Sequence, residues 1–371
     1  MYRVVQWATG SMGRTALRRV IEQPDLELAG VYAYDDTSLQ PDWPAELVGV
    51  YVYDAKKAGV DAGDLAKRPK TGVLATDRVE DVLALQPDVV LHMSRITQPY
   101  DRQNADVIRL LEAGIDVIST AGFHFPACHG LAYAGPLAEA CRRGDSTLAG
   151  LGLNPGFMAE RVATLLTGLC ATLESVACYE LADASSMPSP EFVFGLMGFG
   201  ADPARRDVTR EPIATMYGDL FMEVLHAVAD SLGTRVASLQ PEHSTVLAPR
   251  DLAVRAGTIP RGTVAATDWR WRAGLQNGVE LLHSVTWTAD PGLHGTTGRE
   301  AAAWRIELRG RPNVRATIAI EDPDPAAPHM RAAVDATVAI ALRAIPDVCA
   351  APPGFFTYPA IAPYRARLAR A

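Results

Sequence analysis

The sequence predicts an α/β protein: a doubly wound parallel sheet in the first half, followed by an α+β domain. Three observations carry this. A short apolar strand runs straight into a small-residue turn and an amphipathic helix between Val4 and Ile21. From there to Gly150, strand-like and helix-like stretches alternate, as a parallel sheet with crossover helices requires. After Asn154-Pro155-Gly156 the alternation stops, and paired strands rich in Trp and Thr take over.

The totals narrow the class of protein. A chain of 371 residues has room for two cores. Its 48% hydrophobic and 21% charged content is that of a globular enzyme. A net charge of −8 argues against nucleic acid or an anionic membrane as the main partner. No apolar run reaches the roughly 18–20 residues that span a bilayer. The first strand begins at once, which leaves no room for a signal peptide, and five cysteines without metal-ligand spacing suit a reducing interior. The expectation is a cytoplasmic protein without a metal.

The opening strand holds Val4, Val5, Trp7 and Ala8, and the helix after it buries Met12, Ala16, Leu17, Val20 and Ile21. The turn between them reads Ala8-Thr-Gly10-Ser-Met-Gly13, one glycine short of the usual G-x-G-x-x-G pattern. A turn with few side chains lets backbone N–H groups and the helix N-terminus approach a pyrophosphate. Strand, turn and helix in this order imply a Rossmann domain that binds NADP or NAD through Thr9, Gly10, Ser11, Met12 and Gly13.

A second strand, Leu26–Asp35, follows, and then Ala45–Asp54 repeats it, with Glu27 matching Glu46 and Asp35 matching Asp54. Only one copy can lie beside the first strand, and the sequence leaves open which. Lys56 and Lys57 follow the second copy, and both copies lack an acid three residues after the glycine, so the pattern leans toward NADP. The alternative is that both lysines are solvated and Asp54 takes the ribose hydroxyls. Thr71–Asp77 reads as a short strand, 78–85 as a helix, and Asp88–Met93 as a buried parallel strand. Tyr100–Ala113 is a helix ended by Gly114, Asp116–Thr120 a strand, Ala134–Arg143 a helix stopped by Gly144, and Ser146–Gly150 the closing strand. Ligands bind at the carboxyl ends of such strands. Met93, Ser94 and Arg95 after the fourth strand, with Thr120 and Ala121 after the fifth, are therefore expected beside the cofactor.

Beyond the hinge, Phe157–Leu169 is amphipathic, with Val162, Leu165, Leu166 and Leu169 on one face. A long helix is expected over 222–232, and strands over 262–272, 279–288, 304–308 and 314–320. Such a sheet, open on one face, suits a homodimer. The domains expected are 1–153 for the dinucleotide, 154–330 for substrate and dimerisation, and a tail, 331–371, packed back on the first.

Several stretches together resemble a known family. They are Val4-Val-Gln-Trp-Ala-Thr-Gly-Ser-Met-Gly13, Asp61-Ala-Gly-Asp-Leu65, Gly72-Val-Leu-Ala-Thr76, Asn154-Pro-Gly-Phe157, Ser185-Ser-Met-Pro-Ser-Pro-Glu191, Met197-Gly-Phe-Gly200 and Ile345-Pro-Asp-Val-Cys-Ala-Ala-Pro-Pro-Gly354. The chain resembles proteins with a dihydrodipicolinate-reductase-like amino-terminal domain, among them 2,4-diaminopentanoate dehydrogenase and the native amine dehydrogenases. True dihydrodipicolinate reductases are excluded, because their His-His-x-x-Lys-x-Asp-x-Pro-Ser-Gly-Thr stretch has no counterpart. The resemblance implies NAD(P)-dependent chemistry between a small amine and its carbonyl compound. It also implies that Asn154 faces the cofactor carboxamide. Family members carry a glutamate in the loop after the fifth strand, whereas here Ser119-Thr-Ala-Gly-Phe-His-Phe-Pro126 contains no acid.

His124 stands in that loop and is either a proton carrier or a residue that holds the loop. Glu191 is either a helix-capping carboxylate or a catalytic acid in the pocket. Cys128-His129 suggests a thiolate nucleophile, but adjacent residues rarely bring their side chains face to face. Phe192, Phe194, Met197 and Phe199, spaced by glycines, are either core or a lid over an apolar substrate pocket.

Overall fold

The parallel half forms because each strand is followed by a segment that carries the chain back over the sheet. In the computed structural model, which describes residues 2–22, 45–295, 303–324, 327 and 330–366, this half begins with β1 (Tyr2–Trp7) and α1 (Ser11–Ile21). Then come β2 (Ala45–Tyr51), α2 (Ala62–Ala66), β3 (Ala75–Thr76), α3 (Val79–Leu85), β4 (Val89–His92) and α4 (Asn104–Glu112). β5 (Asp116–Ser119), α5 (Leu131–Gly144) and β6 (Thr147–Gly150) complete the run. Val5, Trp7, Val90, Val117, Leu110, Leu137 and Leu148 form one buried cluster between strands and helices. Each such side chain contributes roughly 1.5–3 kcal/mol by leaving water.

The second of the two similar stretches lies beside β1, with Val4 opposite Leu47 and Trp7 opposite Tyr51. That register stacks Trp7 on Tyr51 with ring centroids 3.7 Å apart. The first stretch, Leu26–Asp35, lies outside the described residues.

Both boundaries of one helix differ from expectation. α5 starts at Leu131 rather than Ala134, and Gly144 is not its stop. Asp145 adopts the left-handed cap (φ 54°), while a Cβ on Gly144 would run into the Leu111 carbonyl at the end of α4. Gly144 is small so that two helices can meet.

After Gly152 the chain enters a second compact unit. Asn154, Pro155 and Gly156 are non-helical, and helical turns continue to Ala163 and through α6 (Thr164–Thr167). Of the apolar face expected here, Leu165 and Leu169 are exposed and Val162 and Leu166 half-buried, and the buried stripe is Ala159, Ala163, Thr164 and Thr167. Small residues permit close helix packing, which periodicity of large apolar residues does not reveal. Then follow β7 (Thr172–Asp183), α7 (Pro212–Ser231), β8 (Val236–Pro241), β9 (Ser244–Leu247), β10 (Leu252–Val254) and β11 (Gly257–Ile259). β12 (Val264–Leu275), β13 (Glu280–Thr288), β14 (Ala303–Arg311) and β15 (Val314–Ala319) complete the unit's strands among the described residues. They pair in the order β15-β14-β7-β13-β12-β8, with β9 also on β12 and β10 paired with β11. α7, which begins ten residues before the expected start at 222, covers one face: Phe221 stacks on Trp271 at 4.5 Å, and Tyr217 meets Trp269 edge-on at 5.5 Å.

The tail forms α8 (Met330–Arg343), α9 (Ile345–Cys349) and β16 (Gly354–Phe356). β16 pairs in parallel with β6, Gly354 opposite Thr147, so β6 does not close the sheet. The first sheet runs β16-β6-β5-β4-β1-β2-β3. The two units are Met1–Gly152 with Val334–Thr357, and Leu153–Ala333 with Tyr358–Ala371, so the chain beyond Thr357 clusters with the second unit rather than the first.

Candidate functional site

The turn after β1 is built by three residues acting together. Ala8 takes φ 70°, a left-handed conformation that costs an L-residue roughly 1–2 kcal/mol and that the missing glycine would adopt freely. Buried Gln6 holds the strained backbone: its Nε2 donates to the carbonyls of Trp7 (3.0 Å), Ala8 (3.1 Å) and Leu91 (3.3 Å). An amide has two N–H donors, so these three acceptors share them. A Cβ on Gly13 would run into the Ala8 carbonyl and crowd Gln6 Nε2, which makes Gly13 a packing requirement. Gly10 differs, because a Cβ there would meet nothing within 4 Å. The open space lies at the start of α1, where the N–H groups of Ser11, Met12 and Gly13 have no intrahelical acceptor. This is an anion cradle, and it fits a pyrophosphate.

A cavity of about 470 Å³ opens beside the cradle at the carboxyl ends of β1, β2 and β4. Thr9 and Gly10 line it from the turn, Tyr53, Asp54 and Lys57 from the segment after β2, and Met93, Ser94 and Arg95 from the segment after β4. Lys57 Nζ donates to Thr9 Oγ1 at 3.3 Å, which puts an ammonium at the edge of the cradle. Asp54 caps the turn that follows by accepting from Lys56 N (3.1 Å), and Lys56 itself is exposed and outside the lining. Of the expected basic pair, the cavity receives only Lys57.

Behind the cavity a chain of polar side chains crosses the sheet. Trp7 Nε1 donates to Tyr53 Oη (2.8 Å), and Tyr53 Oη lies 3.0 Å from Ser94 Oγ. Ser94 Oγ is 3.1 Å from His92 Nε2, and His92 Nδ1 is 3.0 Å from Ser119 Oγ. Burial pushes His92 down to about 4, so it is neutral and can donate to one serine while accepting from the other. The chain was not foreseen, although His92 in an otherwise apolar strand was its visible trace.

The loop after β5 is strained. Thr120 N donates to the His92 carbonyl (3.1 Å) and Ala121 N to Ser119 Oγ (3.1 Å). Gly122 then takes φ 131° and Phe123 φ 69°, an uncommon conformation for a bulky residue. A Cβ on Gly150 would run into the backbone of Phe123 and His124, so the loop lies directly on the end of β6. His124 is 3% exposed, and neither Thr120 nor Ala121 lines the cavity. His129 packs against Tyr100 (5.0 Å) and Tyr133 (4.6 Å), an aromatic corner next to Cys128.

The second unit carries a separate polar pair. Asn154 Nδ2 donates to Glu180 Oε2 at 2.6 Å, while Asn154 Oδ1 is buried without a hydrogen-bond partner. Burial pushes the Glu180 carboxyl up to about 7, against the opposing effect of the Asn154 bond. Glu180 was missed, though an acid alternating with Val176, Cys178 and Ala182 on one face of a strand is a legible signal. Glu191 is exposed, and Ser189 Oγ rather than its carboxylate accepts from Phe192 N (3.2 Å) at the start of the 191–196 turn. Val193, Met197 and Phe199 are buried. Arg206 donates to the carbonyls of Phe194 (3.1 Å) and Gly195 (2.7 Å) and is gripped by both oxygens of Glu211 (2.6 and 2.7 Å), so this segment is anchored.

Among the described residues there is no His/Cys/Asp/Glu group able to hold a metal, and no helix is long and apolar enough to cross a membrane.

The parallel sheet, the glycine turn and the cavity at the strand ends define a Rossmann-type nucleotide-binding unit joined to a mixed-sheet unit. The chain is 26% identical to an amine dehydrogenase from Streptomyces virginiae over 332 residues, 87% of this chain and 86% of the relative. Its fold is similar to that of an amine dehydrogenase from Mycobacterium smegmatis (TM-score 0.72, 18% identity, 96% of this chain and 94% of the other). It is also similar to a probable dehydrogenase from Thermotoga maritima (TM-score 0.57, 11% identity, 95% and 90%). No family model matches the chain.

Proposed function

We propose that this chain is an NAD(P)-dependent oxidoreductase that moves a hydride between the nicotinamide and a small amine or imine, or the corresponding ketone. The observation that carries the reading is the open cradle at Gly10, beside a cavity lined by the ends of β1, β2 and β4, in a chain similar to an amine dehydrogenase over most of its length. The first-turn N–H groups of Ser11, Met12 and Gly13 would hold the pyrophosphate, with Lys57 supplying charge. Ser94, backed by His92, would orient the ring end of the cofactor. When bound, the nicotinamide supplies or accepts the hydride. Asn154 Oδ1 suits an amide or ammonium N–H.

The finer parts of the reading are a dihydrodipicolinate-reductase-like first domain, a preference for NADP through Lys57, a homodimer and a cytoplasmic location. His124, nearly fully buried on Gly150, is assigned to holding its loop.

The test is a panel of small ketones mixed with NADPH, with and without ammonium, followed at the reduced-nicotinamide absorbance. Ammonium-dependent oxidation of NADPH supports the amine dehydrogenase reading. The acid-free loop at 119–126 favours a second reading, a carbonyl or imine reductase that never releases ammonia, and turnover without ammonium would select it. Tight NADPH binding with no turnover on any compound would point instead to a nucleotide sensor.

A further inference from the structure

Tyr53 follows β2, yet its hydroxyl reaches across β1 to the end of β4, where it accepts from Trp7 Nε1 at 2.8 Å and lies 3.0 Å from Ser94 Oγ. The strand order reverses between β1 and β4, and Tyr53 stands there on the wall of the cavity that Thr9 and Gly10 also line. We propose that Ser119 and His92 are positioning residues for the nucleotide: through Ser94 they fix the Tyr53 hydroxyl as a donor into the cavity, where it takes a phosphate oxygen of the dinucleotide. This rests on the nucleotide-binding reading of the cavity.

The protons of this chain of side chains can be placed one by one. Ser119 Oγ accepts from Ala121 N at 3.1 Å, and its own proton has one acceptor among the described residues, His92 Nδ1 at 3.0 Å. Neutral His92 then carries its single proton on Nε2 and donates to Ser94 Oγ at 3.1 Å. Ser94 donates onward to Tyr53 Oη at 3.0 Å, and Trp7 Nε1, which can only donate, fills the other lone pair there. The Tyr53 proton is left over. Among the described residues it meets only Gln103 Oε1, at 3.5 Å, the long limit of a hydrogen bond. Gln103 turns its oxygen that way because its Nε2 is spent on the Arg95 carbonyl at 2.6 Å.

Run the other way, the chain would spend the Tyr53 proton on Ser94 and leave the Ser119 proton without an acceptor. Ser119 is sealed from water, whereas Tyr53 is 55% exposed. An unmade hydrogen bond is costly at the first place and cheap at the second, where solvent or a ligand takes the proton. The surplus proton therefore emerges at Tyr53, and the loop after β5 sets what the cavity offers. A phosphate oxygen only accepts, so it matches this outlet, and the first turn of α1 holds its pyrophosphate beside the same wall. Lys57, Arg95 and Arg102 line the cavity with positive charge. Of the two acids that also line it, Asp54 and Asp106, Asp54 is turned to Lys56 N.

Binding measurements on the whole protein test this without turnover. The probes are NADPH, ADP, which has the pyrophosphate without the nicotinamide, and adenosine, which has no phosphate. Tyr53→Phe should weaken NADPH and ADP about tenfold and leave adenosine unchanged. Ser119→Ala should weaken ADP in the same direction, and Ser119→Thr, which keeps the hydroxyl, should restore part of it. Adding Ser119→Ala to Tyr53→Phe should cost ADP nothing further, because both act through one proton. Nitrogen-15 NMR of histidine-labelled protein reads the direction of the chain with no ligand: His92 should carry its proton on Nε2. Tyr53→Phe strips Trp7 Nε1 of its acceptor, so if that variant does not fold, the Ser119 variants and the NMR carry the test. A His92 proton on Nδ1, unchanged ADP affinity in Tyr53→Phe or in Ser119→Ala, or a loss of adenosine affinity as large as that of ADP would overturn the proposal. Failure of the nucleotide-binding reading looks different: wild type would bind neither NADPH nor ADP.

Discussion

His92 Nε2 lies 3.1 Å from Ser94 Oγ, and this contact joins the buried carboxyl end of β4 to the wall of the cavity. The histidine is held neutral by burial, well below its ordinary value near 6.5. A second buried histidine, His283, packs against Phe221 at 4.8 Å and is pushed down to about 3. Both bind a proton more readily in the unfolded chain, so stability is lost as pH falls below about 6.5. Each steepens that loss by up to about 1.4 kcal/mol per pH unit. His283→Phe, which leaves no unpaired ring nitrogen behind, should flatten the slope of urea-unfolding free energy between about pH 6.5 and 4.5. An unchanged slope would show that the ring is already accessible to protons.

Glu180 acts with the opposite sign. Its folded value lies above the ordinary 4.5, so its contribution is full below that value and declines as pH rises through about 7. Glu180→Gln should therefore gain stability relative to wild type on going from about pH 5 to pH 8. A constant difference across that range would mean that the carboxyl is solvated.

Gly10 and Gly13 should separate binding from folding. Gly10→Ala faces open space and has ordinary φ, so melting should be unchanged while NADPH affinity falls, and Gly10→Asp should abolish binding by adding charge. Gly13→Ala meets the Ala8 carbonyl and should cost roughly 1–3 kcal/mol of stability. Calorimetry and thermal melts on the variants decide it; equal NADPH affinity in Gly10→Asp would put the phosphate site elsewhere.

Ala8→Gly should stabilise the protein by about 1 kcal/mol, because glycine accepts the left-handed conformation that alanine resists. A lower melting temperature would mean that the alanine methyl contributes more packing than its backbone loses.

Lys57, rather than Lys56, should govern cofactor charge. Lys57→Ala should weaken NADPH more than NADH and reduce the salt dependence of NADPH binding, while Lys56→Ala should do neither. A wild-type preference for NADH at low salt would remove the NADP assignment.

The alternation of strands and helices up to Gly150, the turn at Gly10 and the strands of the second half were all legible along the chain, because periodicity and turn chemistry are local properties. What was not legible depended on which distant surfaces met. Leu165 and Leu169 were expected inward and point outward, since the helix packs through Ala159 and Ala163. The choice between two similar stretches went to Ala45–Asp54 in a register that stacks Tyr51 on Trp7, a contact between residues far apart in sequence. Lys56 and Lys57 are neighbours with the same charge, yet only Lys57 reaches Thr9, because the turn capped by Asp54 directs one toward the cradle and leaves the other in water. Glu180 looked like any strand residue until folding placed it against Asn154 and took it out of solvent. The sequence by itself determined the architecture and the place of the nucleotide turn; only the tertiary structure decided which lysine reaches the cradle and which acid meets Asn154, because burial and pairing arise only once the sheet is covered.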